Sequence, residues 1–125
     1  MFFVYINCSK QPFIDQIMGL MKDIETRNRD TLRALVGQRV YFIETGHGKA
    51  KNMVRCSARI TGHAVVEDFN TWKSLRNRTR VYPGSDYEWK PETKKKHLYF
   101  LSDVERFEPF APPEGIRHGY VWMEA

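Results

Sequence analysis

The stretch "MVRCSARIT", residues 53–61, decides the fold class. Val54, Cys56, Ala58 and Ile60 occupy every second position, with Arg55, Ser57, Arg59 and Thr61 between them. A period of two is that of a strand with one apolar and one polar face. Just upstream, "QRVYFIET" (38–45) is rich in β-branched and aromatic residues and reads as a second strand. The glycine-rich "GHGKAKN" (46–52) between them predicts a β-hairpin turning through Gly46 to Gly48. Cys56 falls in the apolar set and reads as a buried small hydrophobe. "HAVVE" (63–67) extends the strand past a kink at Gly62.

Working outward, "FFVYINC" (Phe2 to Cys8) predicts a buried strand. Ser9 is a candidate helix cap, and Pro12 suits a first helical turn. Phe13, Ile17 and Leu20 fall on one helix face. Gly19 leaves two courses open, a helix that ends between Gly19 and Lys22 or one that runs on to Ile24. "RDTLRALVG" (29–37) predicts a short helical turn with Asp30 as cap and Gly37 as stop. "DFNTWKSLRNR" (68–78) spaces Phe69, Trp72, Leu75 and Arg76 as a helix does, with Asp68 as cap. "VYPGSDYEWKPETKKK" (81–96) is a long polar loop with a Pro-Gly turn. "HLYFLSDVERFEPF" (97–110) reads as a strand, "APPEG" (111–115) as a loop, and "RHGYVWMEA" (117–125) as a last strand. Five or six strands with two short helices, not in regular alternation, predict a mixed α+β domain on a compact, curled antiparallel sheet or barrel.

The length, 125 residues, fits one domain over 1–125. With 42% hydrophobic and 28% charged residues, the composition is that of a folded chain. Eight Phe, six Tyr and three Trp let a small core bury a large area. The net charge of +5 permits a polyanionic partner without requiring one. Cys8 and Cys56 make no disulfide framework. The apolar start carries no positive n-region and is not expected to be a signal peptide. No apolar run approaches the length of a membrane span. The expected location is cytoplasmic, with no membrane partner. His47, His63, His97 and His118 stand singly, none at metal-ligand spacing, so neither a metal site nor a cofactor is expected. There is no G-x-S-x-G, P-loop or G-x-G-x-x-G.

Cations and aromatics interleave in the second half. Lys73, Arg76, Arg78 and Arg80 follow Trp72, then come Tyr82, Tyr87 and Trp89, then Lys94, Lys95 and Lys96. Such a mixture suits base stacking with phosphate contact. A solvated helix face, with a loop whose aromatics pack on the barrel, is the other reading. Long loops inside small domains are often functional.

"MGLMKDIETRNRD" (18–30) poses the same choice. On a helix it would be a charged surface held by the Asp23–Arg27 and Lys22–Glu25 pairs. Yet "MGLMKDIETR" followed by "LVGQRVYFIET" resembles the signature of the ASCH domains, members of the PUA-like superfamily. That signature is a Gly, a Lys three residues on, Glu or Thr three further and Arg two further, here Gly19, Lys22, Glu25 and Arg27. A second Gly leading into a strand follows, as Gly37 does. "YFLSDVERFEPF" resembles the family's late strand. The resemblance implies a small curled β-barrel with two or three flanking helices and a cleft carrying Lys22, Glu25 and Arg27. It further implies a partner that is RNA, single-stranded nucleic acid or a modified nucleoside.

Some small ASCH members are amidohydrolases of N4-acylated cytidines, and some act as ribonucleases. In the amidohydrolase branch the presumed nucleophile is a Thr, where this chain has Glu25. Thr26 is adjacent, but on a strand it would face the other way. If the three side chains converge, Arg27 offers a fork to phosphate or carboxylate. Lys22 offers a cation, or a base if burial and Arg27 lower its pKa. Glu25 can hold either cation, or accept from a cytosine or adenine amino group. The sequence thus supports nucleic-acid or nucleoside binding in a G-x-x-K-x-x-E-x-R cleft rimmed by Trp72, Arg76, Arg78, Tyr87, Trp89 and the lysine run. A small hydrolase using Lys22, Glu25 and Arg27 is the alternative, and a protein-interaction module a third class.

Overall fold

The computed structural model describes residues 1–46, 51–114 and 121–125. His47 and Gly48 of the expected hairpin turn and His118 of the expected last strand lie outside the described residues. In chain order the elements are β1 (Phe2–Asn7), α1 (Phe13–Met18), β2 (Ile24–Arg27), a 3-10 turn (Arg33–Leu35), β3 (Arg39–Thr45), β4 (Val54–Val66), α2 (Phe69–Ser74), α3 (Arg76–Thr79), β5 (Lys96–Phe110) and β6 (Trp122–Glu124).

Local chemistry accounts for most of the boundaries. In β4, Cys56, Ala58 and Ile60 are at most 1% exposed and share one core, as the alternation requires, whereas a register shift between Val54 and Cys56 puts the equally buried Val54 on the other face, beside Phe3 and Ile43. The expected kink appears as a register shift between Ile60 and Gly62. The Asp68 carboxylate caps α2 by accepting from the Thr71 N–H at 2.8 Å. Helix α1 ends at Met18, with Gly19 as its C-cap. Leu20 then takes φ +61° and is 75% exposed, so it leaves the face it would have shared with Phe13 and Ile17. Two expected caps do not form. Ser9 bonds to the Asn7 side chain, and Asp30 binds Arg33 in place of capping the 3-10 turn.

The six strands form one sheet in the order β2-β5-β4-β3-β1-β6. The long β4 and β5 pair antiparallel, with Ser57 opposite Glu105 and Ala64 opposite Leu98. β1 and β3 are parallel, from Phe2 opposite Val40 to Asn7 opposite Thr45. The sheet is therefore mixed, not wholly antiparallel. The segment carrying α1, β2 and the 3-10 turn is a crossover long enough to return the chain beside β1 in the same direction. Among the described residues no ladder closes the sheet into a barrel. The main core lies between the sheet and the helices, built from Ile14 and Ile17, Ile24, Leu32 and Leu35, Phe42, Ile60, Trp72 and Tyr99. A second cluster joins Phe3, Ile43 and Val54, flanked by Tyr41 and Phe107. Among the described residues no helix is long and apolar enough to cross a membrane.

Candidate functional site

Because the chain leaves α1 at Met18 and enters β2 at Ile24, the charged stretch becomes a turn and an edge strand. Glu25 and Arg27 sit two apart on β2 and share a side. The Arg27 Nη2 donates to Glu25 Oε2 at 3.0 Å and to the Tyr5 carbonyl of β1 at 3.0 Å. Lys22 lies behind them, 1% exposed, with its Nζ 4.7 Å above the Phe13 ring. That ammonium donates to the Ile24 and Thr79 carbonyls, each at 2.7 Å, and is 3.4 Å from Glu25 Oε1. Three N–H groups therefore have three acceptors. The Lys22–Glu25 pair foreseen on a helix surface forms, but buried, while Asp23 pairs with Arg78 at 2.9 Å in place of Arg27.

Burial pulls the Lys22 pKa down, opposed by Glu25. For Glu25 burial acts upward, but Lys22 and Arg27 together outweigh it and hold the carboxyl below its ordinary range. The result is a chain of alternating charges from Lys22 through Glu25 to Arg27.

The chain ends at a cleft of about 310 Å³ between β1 and β2, whose wall includes Tyr5, Ile6, Phe13, Glu25, Thr26, Arg27, Asn28, Tyr87 and Lys96. Thr26 is among the residues at the cleft, while the alternation of β2 turns its side chain to the opposite side from Glu25 and Arg27, as expected. The four-residue β2 is an edge strand, with the sheet on one side and the cleft running along the other. Lys22 does not line the cleft.

No family model and no curated protein matches the sequence. The fold does have counterparts. A crystal structure of the ASCH protein from Zymomonas mobilis superposes with a TM-score of 0.76 at 16% identity, over 98% of this chain and 85% of that one. Two crystal structures of point mutants of that protein give TM-scores of 0.75 and 0.69, at 17% and 20% identity, covering 98% and 88% of this chain and 87% and 72% of theirs. The fold is that of the ASCH domain.

Onto this ASCH fold the structure sorts the expected rim into inner and outer parts. Trp72 is 0% exposed, and its indole N–H donates to the Glu88 carboxylate. Arg76 pairs with the same carboxylate and lies 5.6 Å over the Phe69 ring. Trp89 is half-buried against Trp72, with ring centres 6.2 Å apart. The reason is Glu88, an acid within the loop that draws Trp72, Arg76 and the Trp89 N–H together. Arg78 stays on the surface, bound to Asp23 and 5.5 Å over Phe100. Tyr87 is on the cleft wall, edge-on to Phe13 at 5.3 Å. Of the lysine run, Lys94 and Lys95 are exposed, whereas Lys96 is buried. Its Nζ donates to Asn28 Oδ1 at 2.6 Å and to the Tyr87 carbonyl at 3.0 Å.

Two parts of the cleft had no sequence signal. The Tyr5 carbonyl is a backbone group, carried by every residue. Asn28 follows the motif and meets Lys96 of β5, 68 residues away, at the cleft.

Proposed function

We propose that the cleft binds a nucleoside unit, free, modified or as one nucleotide of a single-stranded RNA. One observation carries this reading. A single nitrogen of Arg27, Nη2, makes both of its intramolecular bonds, so the guanidinium is held in place while its Nε and Nη1 donors are left for a ligand among the described residues. A cleft of about 310 Å³ is at the lower end of the small-ligand range of about 300–1,000 Å³. Glu25 accepts from Lys22, the Thr26 N–H and Arg27, so of roughly four lone-pair sites about one is left for an exocyclic amino group. Tyr87 and Phe13 supply aromatic surface for a base. Exposed Lys94 and Lys95 and the +5 net charge suit a flanking phosphate backbone. On this reading the curled sheet acts as a barrel whose seam is filled by side chains, in a cytoplasmic protein.

Hydrolysis of an acylated nucleoside is the second reading, favoured by Thr26 lying at the cleft between Glu25 and Arg27. It ranks lower because the Lys22 donors are spent and Glu25 is held ionised, which makes it a weak base near neutral pH.

Calorimetric titration with cytidine, N4-acetylcytidine and a short single-stranded RNA tests this. Saturable binding weakened at least about tenfold, roughly 1.4 kcal/mol, by Arg27→Ala supports the binding site. Absence of binding by all three overturns it. A deacetylated product that disappears in Thr26→Ala would move the assignment to hydrolase.

A further inference from the structure

Strands β4 and β5 bring together side chains that the cleft does not use. His63 is opposite Tyr99 in the β4–β5 ladder, and His97 is two residues before Tyr99 on β5, hence on the same face. Lys96 lines the cleft, so its neighbour His97 points away from it. Asp30 arrives from the segment after β2. Its Oδ1 accepts from the Tyr99 hydroxyl at 2.8 Å, and its Oδ2 takes the Arg33 guanidinium at 2.6 Å. We propose that Asp30, His63 and His97 form a binding site for a divalent transition-metal ion of the zinc class.

The three donor atoms carry the argument. His63 Nε2 is 2.9 Å from His97 Nδ1, and Asp30 Oδ1 is 3.5 Å from the first and 4.0 Å from the second. The point equidistant from all three falls inside their triangle, about 2 Å from each, which is the length of a zinc–nitrogen or zinc–oxygen bond. Two imidazoles and one carboxylate are the donor set of metal sites that keep a further position for water.

The carboxylate is already oriented. Tyr99, itself accepting from the Leu32 N–H at 3.2 Å, and Arg33 fix Asp30 as outer groups fix the ligands of a metal. Arg33 engages Oδ2 and leaves a lone pair of Oδ1 for the ion. The two rings, 15° from coplanar, share a proton between their facing nitrogens. A cation takes the place of that proton, with both rings turning their lone pairs toward Asp30. The His63 side chain is 13% exposed and that of Asp30 25%, which leaves a path from solvent.

Cobalt(II) titration followed by visible absorption, and zinc(II) calorimetry, on chelator-treated full-length chain test the site. One ion is expected per chain, with the affinity at least tenfold lower in His63→Ala and in Asp30→Asn. His63 is partly exposed, so its variant keeps the test open should His97 variants fail to fold. In the wild type the imidazole nitrogen resonances of both His63 and His97 should shift on adding zinc. Absence of saturable binding of either metal overturns the proposal, as does binding undiminished in the His63→Ala, Asp30→Asn double variant.

Discussion

Arg27 and Tyr5 join two strands that share no ladder. The Arg27 guanidinium donates to the Tyr5 carbonyl at 3.0 Å across the seam between β2 and β1, and the same nitrogen holds Glu25. One side chain on the cleft wall therefore bridges the two strands and holds the buried carboxylate.

Arg27→Ala should accordingly lower stability as well as weaken the proposed nucleoside binding. It takes a partner from a buried carboxylate and from a backbone carbonyl, at a cost of about 1–3 kcal/mol. Arg27→Lys should recover the charge but not both bonds, and so fall between the two. Urea unfolding of the three proteins measures this. An Arg27→Ala variant as stable as the wild type would mean that the seam does not need the bridge.

Lys22→Met should be costlier than Arg27→Ala. It leaves the Glu25 charge buried without its ammonium and strips the Ile24 and Thr79 carbonyls of a donor. Breaking a buried pair from one side costs about 3–5 kcal/mol. Adding Glu25→Gln removes the orphaned charge and should recover part of that loss. A double-mutant cycle reads the coupling, and additive losses would show that the two groups act independently.

Acid should destabilise the fold in two stages. Burial pushes the His97 imidazole below its ordinary 6.5, so the unfolded chain takes up that proton first and stability drops as pH falls below 6.5. Glu25 lies below its ordinary 4.5, so its contribution is whole above that pH and is lost as pH falls through the folded value. Asp30, Asp68 and Glu88 are lowered too and add to the second stage. Denaturant unfolding at stepped pH should show His97→Gln flattening the upper stage and Glu25→Gln making the lower one shallower. An upper stage unchanged in His97→Gln would assign it to another group.

The thiols should be silent in the native state. Burial pushes Cys56 up to about 12 and Cys8 up to about 11, and both are nearly inaccessible. A disulfide reagent at pH 8 should label neither in buffer and both in denaturant. Rapid native labelling would place at least one thiol at the surface.

Local chemistry written within a few residues was legible in the sequence. The alternation from Cys56 to Ile60 foretold β4 and its main buried face, though a bulge turned Val54 to the other side; the kink at Gly62 became a bulge, and Asp68 capped α2. The order of Gly19, Lys22, Glu25 and Arg27 pointed to the fold, which the structural likeness to an ASCH protein bears out. What the tertiary structure decided is everything that joins distant segments. Periodicity left α1 free to run past Gly19; the pull of the Thr79 carbonyl on Lys22, 57 residues away, belongs to the course it took. Trp72 looked like a rim residue until Glu88, 16 residues on, gave its N–H a buried partner. His63 and His97, 34 residues apart, meet only through the register of β4 on β5. A strand's period is set by its own backbone, whereas the partner of a buried charge is set by which segments the sheet brings within about 3 Å, and no spacing in the sequence records that distance.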